Sequence, residues 1–223
     1  MAGRHPNAEW EQWFANYSAF ILHYARLAEE LEIEAFCIGT ELYLPAVQRE
    51  QNWRNLIQQV RQVYSGQLTY AANWYKEYEE IQFWDALDFI GVQAYFPLTQ
   101  QHNPSIKELQ QGWKAHKKQL DALQRKYGKP IVFTEVGYKS TPDAAIEPWK
   151  WPERKQATFI PLSEQTQANA FEALFQQFWQ TPWFGGTFIW KWYPRLRENR
   201  RDHVDFTPQQ KPAAEVMKRW YGK

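Results

Sequence analysis

An α/β fold of the (β/α)8 TIM-barrel type, present in part, is predicted from three observations. Short apolar runs alternate with amphipathic stretches along the whole chain, five runs in all, which is the pattern of a parallel sheet with right-handed crossovers. Polar and aromatic residues close four of those runs: Glu41, Asn73-Trp74, Tyr95 and Glu135. In a closed barrel these C-terminal ends surround one mouth, where the chemistry sits. An amphipathic helix opens the chain with no strand before it, so the five strands are expected to be strands 4–8 of a barrel whose first strands lie upstream. An open doubly wound sheet is the alternative. Against it, no glycine-rich phosphate turn follows any run.

The elements follow in order. Trp10, Trp13, Phe14, Tyr17, Phe20, Ile21, Tyr24, Leu27 and Leu31 recur in steps of three and four, which predicts one amphipathic helix, capped near Asn7. Glu34–Glu41 reads as a buried parallel strand. Trp53, Leu56, Ile57, Val60 and Tyr64 form the apolar face of a second helix, ended by Ser65-Gly66. A strand over Leu68–Ala72, a helical segment over Tyr78–Leu87 and a strand over Phe89–Ala94 follow. A helix is expected over Ile106–Tyr127, then a turn at Gly128-Lys129-Pro130 and a strand over Ile131–Thr134. A long loop with Pro142, Pro148, Trp149, Trp151 and Pro152 leads to a helix capped by Ser163. Gly185-Gly186 precedes a strand over Thr187–Trp190, and a last helix covers Ala213–Tyr221.

Composition bounds the function. The 223 residues fit a single domain, taken as 1–223, and are short for a complete eight-stranded barrel, which typically needs about 250. A net charge of +1 gives no electrostatic case for nucleic acid or an anionic membrane. No apolar run is long enough to cross a bilayer. The first residues lack the apolar segment of a signal peptide, and the compartment stays open. One cysteine, Cys37, excludes an internal disulfide framework and is expected to be a buried, inert thiol. The 13 Trp, 12 Tyr and 14 Phe point equally to stacking surfaces for sugar rings or to a tryptophan-rich core. None of the five histidines, His5, His23, His102, His116 and His203, has metal-ligand spacing, so no metal is expected.

Two carboxyl groups at the ends of different strands of one sheet suit glycoside hydrolysis. One protonates the leaving oxygen while the other attacks the anomeric carbon or activates water. Glu41 and Glu135 are the candidates, with Tyr95 and Trp190 on neighbouring strands. The stretches Ile38-Gly39-Thr40-Glu41, Leu68-Thr69-Tyr70-Ala71-Ala72-Asn73-Trp74, Phe83-Trp84-Asp85-Ala86-Leu87-Asp88, Phe133-Thr134-Glu135-Val136-Gly137-Tyr138 and Gly186-Thr187-Phe188-Ile189-Trp190-Lys191-Trp192 together resemble glycoside hydrolase family 113, a (β/α)8 family of retaining enzymes in clan A acting mainly on β-1,4-mannan and mannooligosaccharides. The likeness runs from about Trp10 to the C-terminus. It implies Glu41 as the strand-four acid/base and Glu135 as the strand-seven nucleophile, with no cofactor. Tyr95 would hydrogen-bond the nucleophile and help keep it ionised. Trp190 would form the platform under the sugar, and Asn73, Trp74, Lys191 and Trp192 would line the cleft.

Two departures stand out. Clan A enzymes usually carry Asn before the acid/base, where this chain has Thr40, so the sugar 2-hydroxyl must find another partner. Strands one to three are not recognised, and the exposed barrel edges are expected to favour self-association or pairing in trans. The expected partner is an oligosaccharide or polysaccharide. The alternatives are a related β-glycanase acting on glucan, xylan or chitosan, and an inactive or merely sugar-binding remnant. Arg195, Arg197, Arg200 and Arg201 read as a solvated loop balanced by Glu198 and Asp202, or as a subsite rim. Trp149 and Trp151 read equally as an aglycone cap or as a proline-braced surface loop.

Overall fold

The structure is a computed structural model that describes residues 6–152, 159–196 and 203–222. His5, Arg197, Glu198, Arg200, Arg201 and Asp202, named above, lie outside the described residues. Five strands stand in sheet order as they do in the chain, β1-β2-β3-β4-β5. They are β1 (Ala35–Thr40), β2 (Gln67–Asn73), β3 (Ile90–Gln93), β4 (Ile131–Val136) and β5 (Phe184–Ile189). The helices are α1 (Pro6–Glu30), α2 (Tyr43–Gln48), α3 (Glu50–Arg61), α4 (Glu77–Glu80), α5 (Ile106–Tyr127), α6 (Glu164–Phe178) and α7 (Pro212–Tyr221). The chain forms two compact units, residues 1–91 and 92–223.

In the first unit β1 and β2 pair in parallel, Ala35 with Gln67 and Thr40 with Ala71. Five consecutive residues of β2, 68–72, are buried, as a parallel strand covered on both faces requires. The predicted stripe of α1 divides in two. Phe14, Ile21, Ala25 and Ala28 are buried, whereas Phe20, Tyr24, Leu27 and Leu31 are exposed. Trp53 on α3 is fully buried and centres an aromatic cluster, stacked on Phe83 at 5.4 Å and edge-on to Tyr70 at 5.2 Å. Each such pair contributes about 0.5–1.5 kcal/mol beyond area burial. Arg54 grips Asp85 at 2.8 and 3.0 Å and Glu50 at 2.7 Å. Arg61 binds Asp88, which also accepts from the Leu68 amide at 2.6 Å. These bonds fasten α3 and β2 to the Trp84–Ala86 turn of 3-10 helix. The helix expected over 78–87 is thus two short turns, α4 and the 3-10 turn, because Ile81 is extended between them. Cys37 is exposed, correcting the expected buried thiol, because β1 buries only Ile38 and Gly39 fully.

In the second unit β4 and β5 pair in parallel, Ile131 with Phe184 and Val136 with Ile189. Gly185 and Gly186 fall inside β5 rather than before it. A Cβ on Gly185 would stand 2.8 Å from Val132 Cγ2, so the glycine serves strand packing, not a turn. Helix α5 starts on a complete capping box, Ser105 with Glu108, and stops at left-handed Gly128, as its sequence signals require. Ser163 stands at the start of α6, but its hydroxyl bonds Asn103 and Thr166 side chains rather than a backbone amide. Trp113, Phe133, Phe178 and Phe184 pack ring to ring at 5.0–6.1 Å beneath β4 and β5. No helix among the described residues is long and apolar enough to cross a membrane.

Candidate active site

Glu41 is the first residue past β1 and adopts a left-handed conformation, φ 50°. Its amide donates to the Ala71 carbonyl at 2.9 Å, so its backbone is the last rung of the β1–β2 ladder and its side chain is exposed. Glu41 Oε1 accepts from Asn73 Nδ2 at 2.8 Å. The other amide atom, Asn73 Oδ1, accepts from the Tyr75 amide at 2.8 Å, which fixes which end of the amide faces Glu41. Behind this pair lies a carboxyl that sequence reasoning missed. Glu77 is fully buried; its Oε2 accepts from the Asn73 amide at 2.7 Å and its Oε1 from the Tyr70 hydroxyl at 2.5 Å. The Tyr70 oxygen in turn accepts from the Leu42 amide at 2.7 Å. Burial raises the Glu77 pKa, the bonds from Tyr70 and Asn73 oppose the rise, and the nearby Glu41 charge adds to it, leaving the carboxyl above its ordinary value. Trp74, half-buried, meets the Tyr75 ring edge-on at 5.5 Å.

In the second unit Glu135, on β4, is partly buried. It receives two donors: the Tyr95 hydroxyl on Oε1 and Gln93 Nε2 on Oε2 at 3.3 Å. Gln93 Oε1 accepts from Thr134 Oγ1 at 3.2 Å, so its amide is also oriented. The backbones of the two strands are tied here, Ala94 N–H donating to Glu135 O at 2.6 Å. Trp190 follows β5, and its amide donates to Val136 O at 2.8 Å. Beside it, Lys191 Nζ bridges to Asp205 Oδ2 at 3.3 Å and lies over the rings of Trp151 and Tyr193 at 4.3 and 4.6 Å. Asp205, 5% exposed, also accepts from the Tyr193 hydroxyl at 2.7 Å. Trp151 meets Trp190 and Phe206 edge-on, and Phe206 meets Tyr95. A continuous aromatic wall therefore runs from Lys191 to the Glu135 carboxylate. Trp192 is 59% exposed.

The structure thus brings together Glu41 with Asn73, Glu135 with Tyr95, and Trp190 with Lys191. Gln93, Asp205, Tyr193 and Phe206 join these groups without having been singled out. Two of them carried a sequence signal, being polar residues inside apolar runs: Gln93 in Ile90–Tyr95 and Asp205 between Val204 and Phe206. The tryptophans divide between both readings of composition. Trp53, Trp84 and Trp113 are fully buried core, whereas Trp149, Trp151 and Trp192 are exposed. Trp151 borders a cavity of about 200 Å3 with Lys139, Thr141, Asp143 and Lys150. Among the described residues no cluster of His, Cys, Asp and Glu is arranged to hold a metal.

The model of glycoside hydrolase family 113 matches residues 3–211. No curated protein sequence matches the chain. Among solved structures, a family 113 β-1,4-mannanase shares 30% identity at a TM-score of 0.82, covering 96% of this chain and 64% of its own. The family 113 β-mannanase AaManA from Alicyclobacillus acidocaldarius, in complex with ManMIm, shares 30% identity at a TM-score of 0.79, over 96% and 63% of the two chains. A β-glucuronidase from Faecalibacterium prausnitzii, 15% identical with a TM-score of 0.64 over 94% and 35%, shares the fold alone. The chain spans about 64% of the length of the mannanase structures it matches. Its α/β fold with five strands corresponds to part of their (β/α)8 barrel. With a family model that covers nearly all of it, this chain belongs to glycoside hydrolase family 113.

Proposed function

We propose that the chain carries the two catalytic carboxyls of a retaining glycoside hydrolase acting on β-1,4-mannosidic linkages. One observation supports this most. Each glutamate lies at the C-terminal end of a strand and accepts hydrogen bonds from side chains at the end of the preceding or following strand. Asn73 serves Glu41; Tyr95 and Gln93 serve Glu135. Donors that hold a carboxylate in one rotamer prepare it for an in-line reaction and remove a reorganisation cost from the transition state.

In the first step a Glu135 oxygen attacks the anomeric carbon. The bond to the leaving oxygen breaks, and the Glu41 proton goes to that oxygen. In the second, a water gives a proton to Glu41 and its oxygen displaces Glu135, restoring both groups and the starting anomeric configuration. Tyr95 orients the nucleophile. Trp190, with Trp151 behind it, offers a ring face to a sugar and to the positive charge that develops on it. Lys191, clamped by Asp205 and Tyr193, presents an ammonium at the same wall. The substrate class rests on the family and on the likeness to the β-mannanases above.

The test is hydrolysis of β-1,4-mannooligosaccharides followed by proton NMR, with glucan, xylan and chitosan oligomers in parallel. Release of mannosides with retained β configuration, abolished in Glu135→Ala and Glu41→Ala, is expected. Undiminished hydrolysis by either variant ends the assignment, and preference for another glycan reassigns the substrate.

A further inference from the structure

Glu77 is a buried carboxyl that the mechanism above does not use, and its surroundings tie it to Glu41 through two routes. Through Asn73, its Oε2 fixes the backbone amide whose side chain donates to Glu41. Through Tyr70, its Oε1 fixes the hydroxyl that accepts the amide of Leu42, the residue next to Glu41. Four hydrogen bonds of 2.5–2.8 Å thus link one buried group to the side chain and to the backbone of the acid/base. Glu41 itself has left-handed backbone, φ 50°, a conformation that persists only where its surroundings over-determine it.

We propose that Glu77 is the positioning residue of the acid/base, holding Asn73 and Leu42 so that Glu41 meets the leaving oxygen in one geometry. The proposal rests on the functional reading of Glu41 given above. A carboxylate is required at position 77 because two donors of β2, the Tyr70 hydroxyl and the Asn73 amide, converge on its two oxygens, and only an anion with two equivalent oxygens accepts both at charge-assisted strength.

The second consequence is coupled titration. The titratable groups that act on Glu77 are Glu41 past β1 and Tyr70 of β2; Tyr43 of α2, bonded to Glu80 of α4, feels its charge, and Tyr17 of α1 acts on Tyr70. The three tyrosines are all raised above their ordinary value, Tyr17 and Tyr70 by burial and Tyr43 by its bond to Glu80. All three tyrosines therefore keep their protons near neutrality. The Glu41 charge raises Glu77, and linkage makes that influence mutual.

Two measurements on the full chain test this. Carboxyl carbon NMR titrations compare wild type with Glu41→Gln, a substitution at an exposed side chain that leaves the core intact. The Glu77 titration is expected to move to lower pH once the Glu41 charge is gone. A Glu77 curve that is the same in both proteins overturns the coupling, whatever the activity. Kinetics then compare wild type with Glu77→Gln on an unactivated mannooligosaccharide and on a dinitrophenyl β-mannoside, whose leaving group departs without a proton. Positioning predicts a loss of about tenfold or more in kcat/KM on the former and little loss in kcat/KM on the latter, because that ratio reports the first step, in which Glu41 gives its proton to the leaving oxygen. Equal losses on both substrates reduce Glu77 to a structural role and overturn the proposal. Hydrolysis that survives in Glu41→Gln instead removes the functional reading of Glu41, a failure the NMR titration keeps apart.

Discussion

Replacing Gly39 by alanine tests whether the platform beneath Glu41 is as rigid as its packing implies. An added Cβ would stand 2.8 Å from Trp53 Cη2, 2.8 Å from Tyr70 Cε2 and 3.0 Å from the Tyr17 hydroxyl. Non-bonded carbons are most stable at about 3.5–4.0 Å, so two rings must retreat by roughly 0.7 Å or more. Neither is free to do so. Trp53 and Tyr70 are fully buried, and Trp53 is boxed in by Phe14, Tyr17, Tyr70 and Phe83 at ring distances of 5.2–5.9 Å. Overpacking of this kind costs about 1–3 kcal/mol. The smaller conformational freedom of alanine in the unfolded chain returns about 0.4–1 kcal/mol. The net is about 1–2 kcal/mol of destabilisation, equivalent to roughly 2–8 °C in Tm for a chain of this size. Thermal and urea unfolding followed by tryptophan fluorescence measure it, since Trp53 is the ring being displaced. The same experiment reports on Glu41, two residues on, because Tyr70 would carry the Leu42 amide with it. A Gly39→Ala protein with wild-type Tm would refute the rigid platform, and with it the claim that Tyr70 can transmit position to Glu41.

Three further outcomes are expected. Tyr95→Phe removes a charge-assisted donor from Glu135, a bond of about 1.5–3 kcal/mol, and should lower kcat/KM on mannooligosaccharides about ten- to hundredfold with Tm nearly unchanged; an unaltered rate would show that Gln93 alone suffices. Lys191→Met leaves Asp205 with the Tyr193 hydroxyl and the Phe206 amide as its remaining described donors. Because Lys191 keeps 18% exposure, the loss should be about 1–3 kcal/mol, below the full cost of breaking a buried pair, and equilibrium urea unfolding reads it. Glu77 has a folded-state pKa above its ordinary 4.5, burial being the first cause. Its contribution to stability is thus present below that pH and is lost as pH rises through the folded value. The stability difference between wild type and Glu77→Gln should shrink from pH 4 to pH 8, and a difference that grows with pH contradicts the raised carboxyl.

What the sequence disclosed and what it withheld follow one physical division. Periodicity is local, so the helix stripes and the polar residues that close apolar runs were legible, Glu41 and Glu135 among them. Asn73 was read as closing its own run, but its bond to Glu41 was not legible, since it depends on the register of two adjacent strands that end together. Glu77 was not, because it is one of three glutamates within 77–80 and only folding distinguishes the buried one from its exposed neighbour Glu79. The Lys191–Asp205 bridge was hidden for the same reason, since residues 14 apart in a loop share no period. The exposed half of the α1 stripe shows the converse limit. A pattern states that a face is apolar, not what lies against it, and Phe20 and Leu31 are 55% and 60% exposed. Gly185-Gly186 misled because glycine marks turns and close strand approach alike.

Gly137 carries a consequence for anyone remodelling this scaffold. A Cβ there would lie 2.2 Å from the Trp190 carbonyl oxygen, closer than any side chain can tolerate, so the chain just after Glu135 and the chain at Trp190 are geared together by backbone contact. No rotamer change can absorb a shift between them. A loop graft intended to alter what the protein accepts has its first splice point beyond Thr141, where the buried run 136–141 ends. Cutting earlier would turn the ring at 190 and the carboxylate at 135 as one rigid piece, and would trade selectivity for misalignment.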